Sequence, residues 1–146
     1  PYFYAIIDRQ TGKALGVASY LRIDPASRSI EVGWITFSPQ LQKSRLATEA
    51  MFLMMHNAFA LGYRRYEWKC NVLNSGSMSA AERLGMTYEG TFRQATVVKG
   101  RNRDSAWFAI MDSEWPEMRT AFEAWLVPEN FDDQGNQLVS LGTLRE

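Results

Sequence analysis

"SPQLQKSRLATEAMFLMMHNAFALG", residues 38–62, contains the change of period that decides the fold. Leu46, Ala47, Ala50, Met51, Leu53, Met54, Ala58 and Leu61 recur at three- and four-residue spacings, and Gly62 follows where a left-handed C-terminal cap would sit. This pattern predicts a buried amphipathic helix over 46–61. Just before it runs the polar, basic turn Gln42, Lys43, Ser44 and Arg45. First-turn amides of a helix lack intrahelical partners and carry partial positive charge, so the junction suits a phosphate, with Lys43 or Arg45 supplying further charge. By spacing alone, the same residues also fit an ordinary solvated loop.

Working outward, "YFYAII" (2–7) and "ALGVASYLRI" (14–23) are aromatic and β-branched runs separated by "DRQTGK", which reads as a hairpin. "SIEVGWITF" (29–37) alternates as a third strand, and Gly33 within it invites a bulge. After the helix, "YRRYEWKC" reads as a strand and "NSGSMSAAERLG" as a short helix opened by Asn74 or Ser75 and closed by Gly85. "MTYEGTFRQATVV" and "RDSAWFAIM" form a hairpin through "KGRN", and "SEWPEMRTAFEAWL" is a last helix with Pro116 in its first turn. Past Pro128 the chain is polar and turn-rich, with "LVSLGTL" either a short strand or mobile. The order describes an α/β (α+β) domain: a mixed sheet with helices packed on its faces.

Composition narrows the function. With 146 residues, 46% of them apolar, the chain can bury one sizeable core. Sixteen basic residues balance sixteen acidic ones, which argues against nucleic acid or an anionic membrane as partner. A single cysteine, Cys70, excludes an internal disulfide framework and a cysteine metal cluster, so no metal is expected and a reducing cytoplasm fits. The chain opens on Pro1 and carries no signal-like segment, which suggests a fragment.

"QKSRLA" (42–47) resembles the acyl-CoA pyrophosphate loop of the GNAT superfamily of N-acyltransferases: Gln or Arg, two residues, Gly, one residue, Gly or Ala. Arg45 stands where the first glycine is usual, as in the ribosomal-protein N-acetyltransferase (RimJ/RimL-like) branch. "NSGSMSAAERLGMTYEGTFR" is similar to that branch's Asn-x-x-Ser helix and Glu-Gly-x-x-Arg strand, matching at Asn74, Ser77, Gly85, Glu89, Gly90 and Arg93. Gly100, Arg101 and Asp104 of "KGRNRDSAWFAI" match its last hairpin.

The resemblance implies a mostly antiparallel central sheet with helices on both faces, over a domain at 1–126 and a tail at 127–146. It also implies that the family's N-terminal strand and helices are missing here. The implied co-substrate is acetyl-CoA, held by Gln42, Lys43, Ser44, Arg45, Leu46 and Ala47 at the pyrophosphate, by the strand at Ile35, Thr36 and Phe37 along the pantetheine, and by Asn74. The implied reaction is direct attack by a primary amine, belonging to a protein N-terminus or a small molecule. Ser77 would protonate the leaving thiolate, and Glu31 would take the amine's proton directly or through water. Helix capping is the plainer reading of Asn74 and Ser77, and a solvent-facing strand position that of Glu31.

Thr96 stands where ribosomal-protein members carry a carboxylate, a departure that weakens the case for a ribosomal substrate. His56 lies within the Met-rich helix, away from the motifs, and reads as structural or surface. Cys70 reads as a buried small residue. Arg101, Arg103 and Asp104 read as a structural ion-pair group. Two other classes compete with the enzyme. One is a CoA-binding domain without catalysis. The other is an assembly element whose aromatic strands, including Trp107 and Phe108, pair with another chain; a homodimer would be one such assembly.

Overall fold

A computed structural model describes residues 1–146. Six strands, β1 (Tyr2–Ile7), β2 (Ala14–Asp24), β3 (Ser29–Phe37), β4 (Arg65–Asn71), β5 (Thr87–Val98) and β6 (Arg101–Met111), form one sheet in the order β1-β2-β3-β4-β6-β5. Every pairing is antiparallel except β3 with β4, which the helix α1 (Arg45–Ala60) joins as a crossover. Helices α2 (Ser75–Arg83) and α3 (Trp115–Leu126) follow in the expected order. The chain ends in a 3-10 turn at Pro128–Asn130 and a short helix α4 (Leu141–Leu144), so helix stands where a short strand was one expectation.

The stops of α1 and α2 form as their glycines predict. Gly62 has φ +91°, Gly62 N–H donates to Phe59 C=O and Tyr63 N–H to Ala58 C=O. Gly85, at φ +90°, repeats the arrangement with Glu82 and Ala81. Both are Schellman caps, in which a left-handed residue lets the next two amides fold back onto orphan carbonyls.

The core lies on one face of the sheet. Tyr20, Ile30, Val32, Tyr66, Trp68 and Phe108 pack there against Met51 and Met55 of α1, Ala81 of α2, Phe122 of α3 and Leu141 of α4. The mostly antiparallel mixed sheet is as expected, but the placement of helices on both faces is corrected. Along β3 and β4 the opposite face presents Glu31, Glu67 and Lys69, joined by Ser19, Arg103 and Ser105. Such a polar layer forms ion pairs instead of offering an apolar seat to a helix.

The assembly reading is also corrected at its named residues. Trp107 and Phe108 lie on β6, whose two edges are already paired with β4 and β5, and Phe108 is fully buried. No helix is long and apolar enough to cross a membrane.

Candidate active site

β3 and β4 pair only over Ser29–Glu31 and Arg65–Glu67 and then part. A bulge accompanies the parting: Val17 pairs with Thr36 and Ser19 with Gly33, so Trp34 and Ile35 together stand opposite Ala18. Trp34 takes φ +49°, a left-handed value that is costly for a bulky side chain and recurs at functional strands. The gap so opened is bounded by β3 on one side and by β4 leading into α2 on the other.

On the helix side of this gap lies a groove of about 800 Å³. Phe37, Gln42, Lys43, Ser44, Arg45 and Ala47 line it, as do Ser75 and Gly76 of α2. Ser44 caps α1, accepting from Ala47 N–H at 3.1 Å and donating to Leu41 C=O at 2.6 Å. Gln42 Nε2 donates to Phe37 C=O at 3.1 Å, tying the loop to β3. The amides of Lys43, Arg45 and Leu46 have no acceptor in the chain, and Lys43 sits at φ +56° directly before the cap. A left-handed residue beside a helix start makes successive amides concave toward an anion. Arg45 is committed elsewhere: its guanidinium donates to Leu126 C=O and lies 5.1 Å from the Phe131 ring centre. That leaves Lys43, exposed and without an ion-pair partner, as the loop's free cation.

Leu46 points away from this groove into a larger one, about 890 Å³, between α1 and the β1–β2 hairpin. That second groove is mostly apolar and touches neither Ser77 nor Glu31. Ile35, Thr36, Asn74, Ser77 and Glu31 do not line the first groove, although Trp68, which does, donates from Nε1 to Ser77 Oγ at 3.0 Å. Asn74 Oδ1 accepts from Ser77 N–H at 3.1 Å, so the helix cap forms and the side-chain amide NH₂ stays free.

Glu31 departs most from its plain reading. It is 3% exposed, in ion-pair contact with Arg22 Nε at 3.2 Å and Lys69 Nζ at 3.9 Å, yet its Oε2 has no hydrogen bond of good geometry. Burial pushes its carboxyl above the ordinary carboxylate range, while Lys69 and Arg22 pull back. Side chains alternate along β4, so Trp68 with its Ser77 partner lies on the helix side and Lys69 with Glu31 on the other. The proton-donor and proton-acceptor candidates thus occupy opposite faces of one sheet, beside the gap between β3 and β4.

Residues 1–87 match the acetyltransferase (GNAT) domain family. The chain belongs to that family. Among solved GNAT-like structures, a GCN5-related N-acetyltransferase from Brucella melitensis superposes with a TM-score of 0.97 at 52% identity, over 99% of this chain and 66% of that one. A probable GNAT-family acetyltransferase from Chromobacterium violaceum gives 0.76 at 47% identity, over 78% and 58%. The ribosomal-protein-serine acetyltransferase of Escherichia coli K12 is 33% identical over 103 residues, 68% of this chain and 56% of that protein. The chain therefore spans little more than half of that curated relative.

Several groove residues carried no sequence signal. Trp125, Phe131, Asn136 and Gln137 wall it from the C-terminal segment, and Arg83 reaches it over the Trp125 ring while donating to Thr48 Oγ1 at 2.9 Å. The anticipated Arg101–Arg103–Asp104 ion pairs are absent. Asp104 instead accepts from Gln94 N–H and Asn102 Nδ2, while Glu89 pairs with Arg65. Cys70 is buried against Met78, and His56 packs among Phe52 and Trp115.

Proposed function

We propose that this protein is an acetyl-CoA-dependent N-acetyltransferase that moves an acetyl group to a primary amine by direct attack. The observation that carries the reading is the parting of β3 and β4, with Ser77 on one side of the sheet and Glu31 on the other. Free amides at Lys43, Arg45 and Leu46, with the Lys43 ammonium beside them, suit a pyrophosphate at the mouth of the groove. Beyond Glu31, the β3 backbone has no β4 partner and is free to pair with the amide-bearing pantetheine arm, as a sheet edge pairs with an added strand.

In the reaction, Glu31 accepts the proton of the attacking amine, C–N forms, C–S breaks, and Ser77 O–H gives its proton to the departing thiolate. The products are an amide and free CoA thiol. Ser77 suits this role because its oxygen already accepts from Trp68, which turns its own proton outward. Nothing favours a covalent route through Cys70, which is buried with its sulfur against Met78. The acceptor belongs to a soluble, cytoplasmic setting in this reading, either a protein N-terminus or a small amine. Calorimetry with acetyl-CoA, followed by thiol release over an amine panel, tests it: binding without turnover on any amine would leave only a CoA-binding domain.

A further inference from the structure

The face of the sheet that carries Glu31 holds more positive charge than that carboxylate can answer. Arg22 and Lys69 both contact Glu31, and Arg103 on β6 is near enough to pull its carboxyl down. The neighbouring acid, Glu67, is already held by Arg65 at 2.6 Å, which also binds Glu89. Four cations, Arg22, Lys69, Arg103 and Arg65, therefore face three carboxylates, Glu31, Glu67 and Glu89, and the surplus positive charge lies on the Arg22 and Lys69 side.

The arrangement is built. Arg22 lies at φ +46°, where the β2–β3 register slips between Leu21 and Asp24. Tyr20 points into the core and Leu21 away from it, so unbroken alternation would send Arg22 to the helix side. The bulge instead brings its guanidinium to Glu31 and within 5.1 Å of the Trp107 ring centre. Lys69 reaches the same ring from the paired strand at 5.0 Å. The Trp107 Nε1–H is itself buried without an acceptor. A left-handed arginine is strained, and the strain is retained where it sets a charge.

We propose that Arg22 and Lys69, flanking Trp107, form an anion subsite for the acceptor, so that the preferred amine carries a carboxylate close to its amino group. The inference rests on the acetyl-transfer reading. Such an acceptor places its amine toward Glu31 and its carboxylate toward Arg22 and Lys69, which gives each group an opposite charge. A polyamine would instead meet two or three like charges. The carboxylate can come from an acidic residue at a protein N-terminus or from a free amino acid, and both supply the same chemistry.

The test uses saturating acetyl-CoA and thiol release with matched acceptors. These are peptides beginning with Asp or Glu against those beginning with Asn or Gln, free glutamate against its amides, and spermidine. The acidic member of one or both sets should show at least about 10-fold higher kcat/KM, the size of a charge-assisted contact. Which set does so identifies the source of the carboxylate. Arg22→Gln should erase that preference by raising KM for the acidic acceptor, and Arg22→Lys should restore part of it. Equal kcat/KM within every pair, or spermidine as the best acceptor, overturns the subsite while leaving acetyl transfer intact. No thiol release from any amine overturns both.

Discussion

The indole Nε1–H of Trp68 donates to Ser77 Oγ across 3.0 Å, linking a core residue of β4 to the first turn of α2. Trp68 is buried on the helix side of the sheet, so the bond fixes Ser77 from a rigid base. A serine held only by helix capping would use its oxygen toward a backbone amide, but here Asn74 takes that capping role. The Ser77 hydroxyl is thereby released from the helix and oriented by a side chain that lines the groove.

Ser77→Ala should lower turnover by about 10²-fold while leaving acetyl-CoA affinity nearly intact, because the hydroxyl matters when charge develops on sulfur and little before. Single-turnover kinetics and calorimetry on the same preparation separate the two. Full turnover under conditions where chemistry limits the rate removes Ser77 from the mechanism.

At the mouth of the groove, Lys43→Glu should weaken acetyl-CoA binding by about 10-fold or more, since it replaces the loop's free cation with a charge that repels phosphate. Lys43 is exposed, so stability without ligand should stay within about 0.5 kcal/mol of the parent. Ala47→Asp should abolish the acetyl-CoA-dependent rise in Tm, but Ala47 packs with Leu15 and Leu41 and the buried charge also lowers Tm without ligand. Unchanged affinity in Lys43→Glu would move the pyrophosphate elsewhere.

The elements and both glycine caps were legible because their causes are local: a change of period, an Asn or Ser before a helix, a glycine after it. The acyl-CoA loop was legible as a motif, yet its division of labour was not. Arg45 is drawn off by Leu126 and Phe131, more than eighty residues away, and Leu46 turns to the other groove. Strand alternation places Glu31 opposite Ile30 and Val32 and so suggests solvent. Glu31 is buried beneath Arg22 and Lys69, which reach it through a bulge and a strand pairing that no single stretch encodes and which both lie over the Trp107 ring. The C-terminal segment was least legible, since Asn130 and Gln137 bond to Trp125 and Val139 through turns that no cap residue or hydrophobic period marks.

Glu31→Gln tests the base and carries a sign. The folded-state carboxyl is held above its unfolded value by burial, so the folded protein binds the proton more tightly across that interval. Stability contributed by Glu31 is greatest below the ordinary carboxylate range and falls as pH rises toward the raised folded value. The Tm difference between parent and Glu31→Gln should therefore change through that window and level off above it. For activity, the parent's acidic limb should lie above the ordinary carboxylate range, and Glu31→Gln should flatten it. An identical acidic limb in both proteins would assign the base to another group.

The segment after α3 is held by two buried side chains, Leu141 in the core and Asn130 through hydrogen bonds. Asn130 Nδ2 donates to Trp125 C=O at 3.0 Å and to Val139 C=O at 3.1 Å, and its Oδ1 accepts from Val139 N–H at 2.9 Å. Trp125 Nε1 donates to Gln137 Oε1 at 2.9 Å, which sets Gln137 and Asn136 on the wall of the groove. Asn130→Ala strands one donor and two acceptors and should cost about 1–3 kcal/mol in denaturant unfolding. Because the same clamp positions the groove wall, acetyl-CoA affinity should fall with it, measured by calorimetry at a temperature where the variant is fully folded. Gln137→Ala, which removes the wall contact and leaves the clamp, should weaken acetyl-CoA with a smaller loss of stability. Lower stability at unchanged affinity in both variants would make the segment a brace for α3 with no part in the cofactor groove.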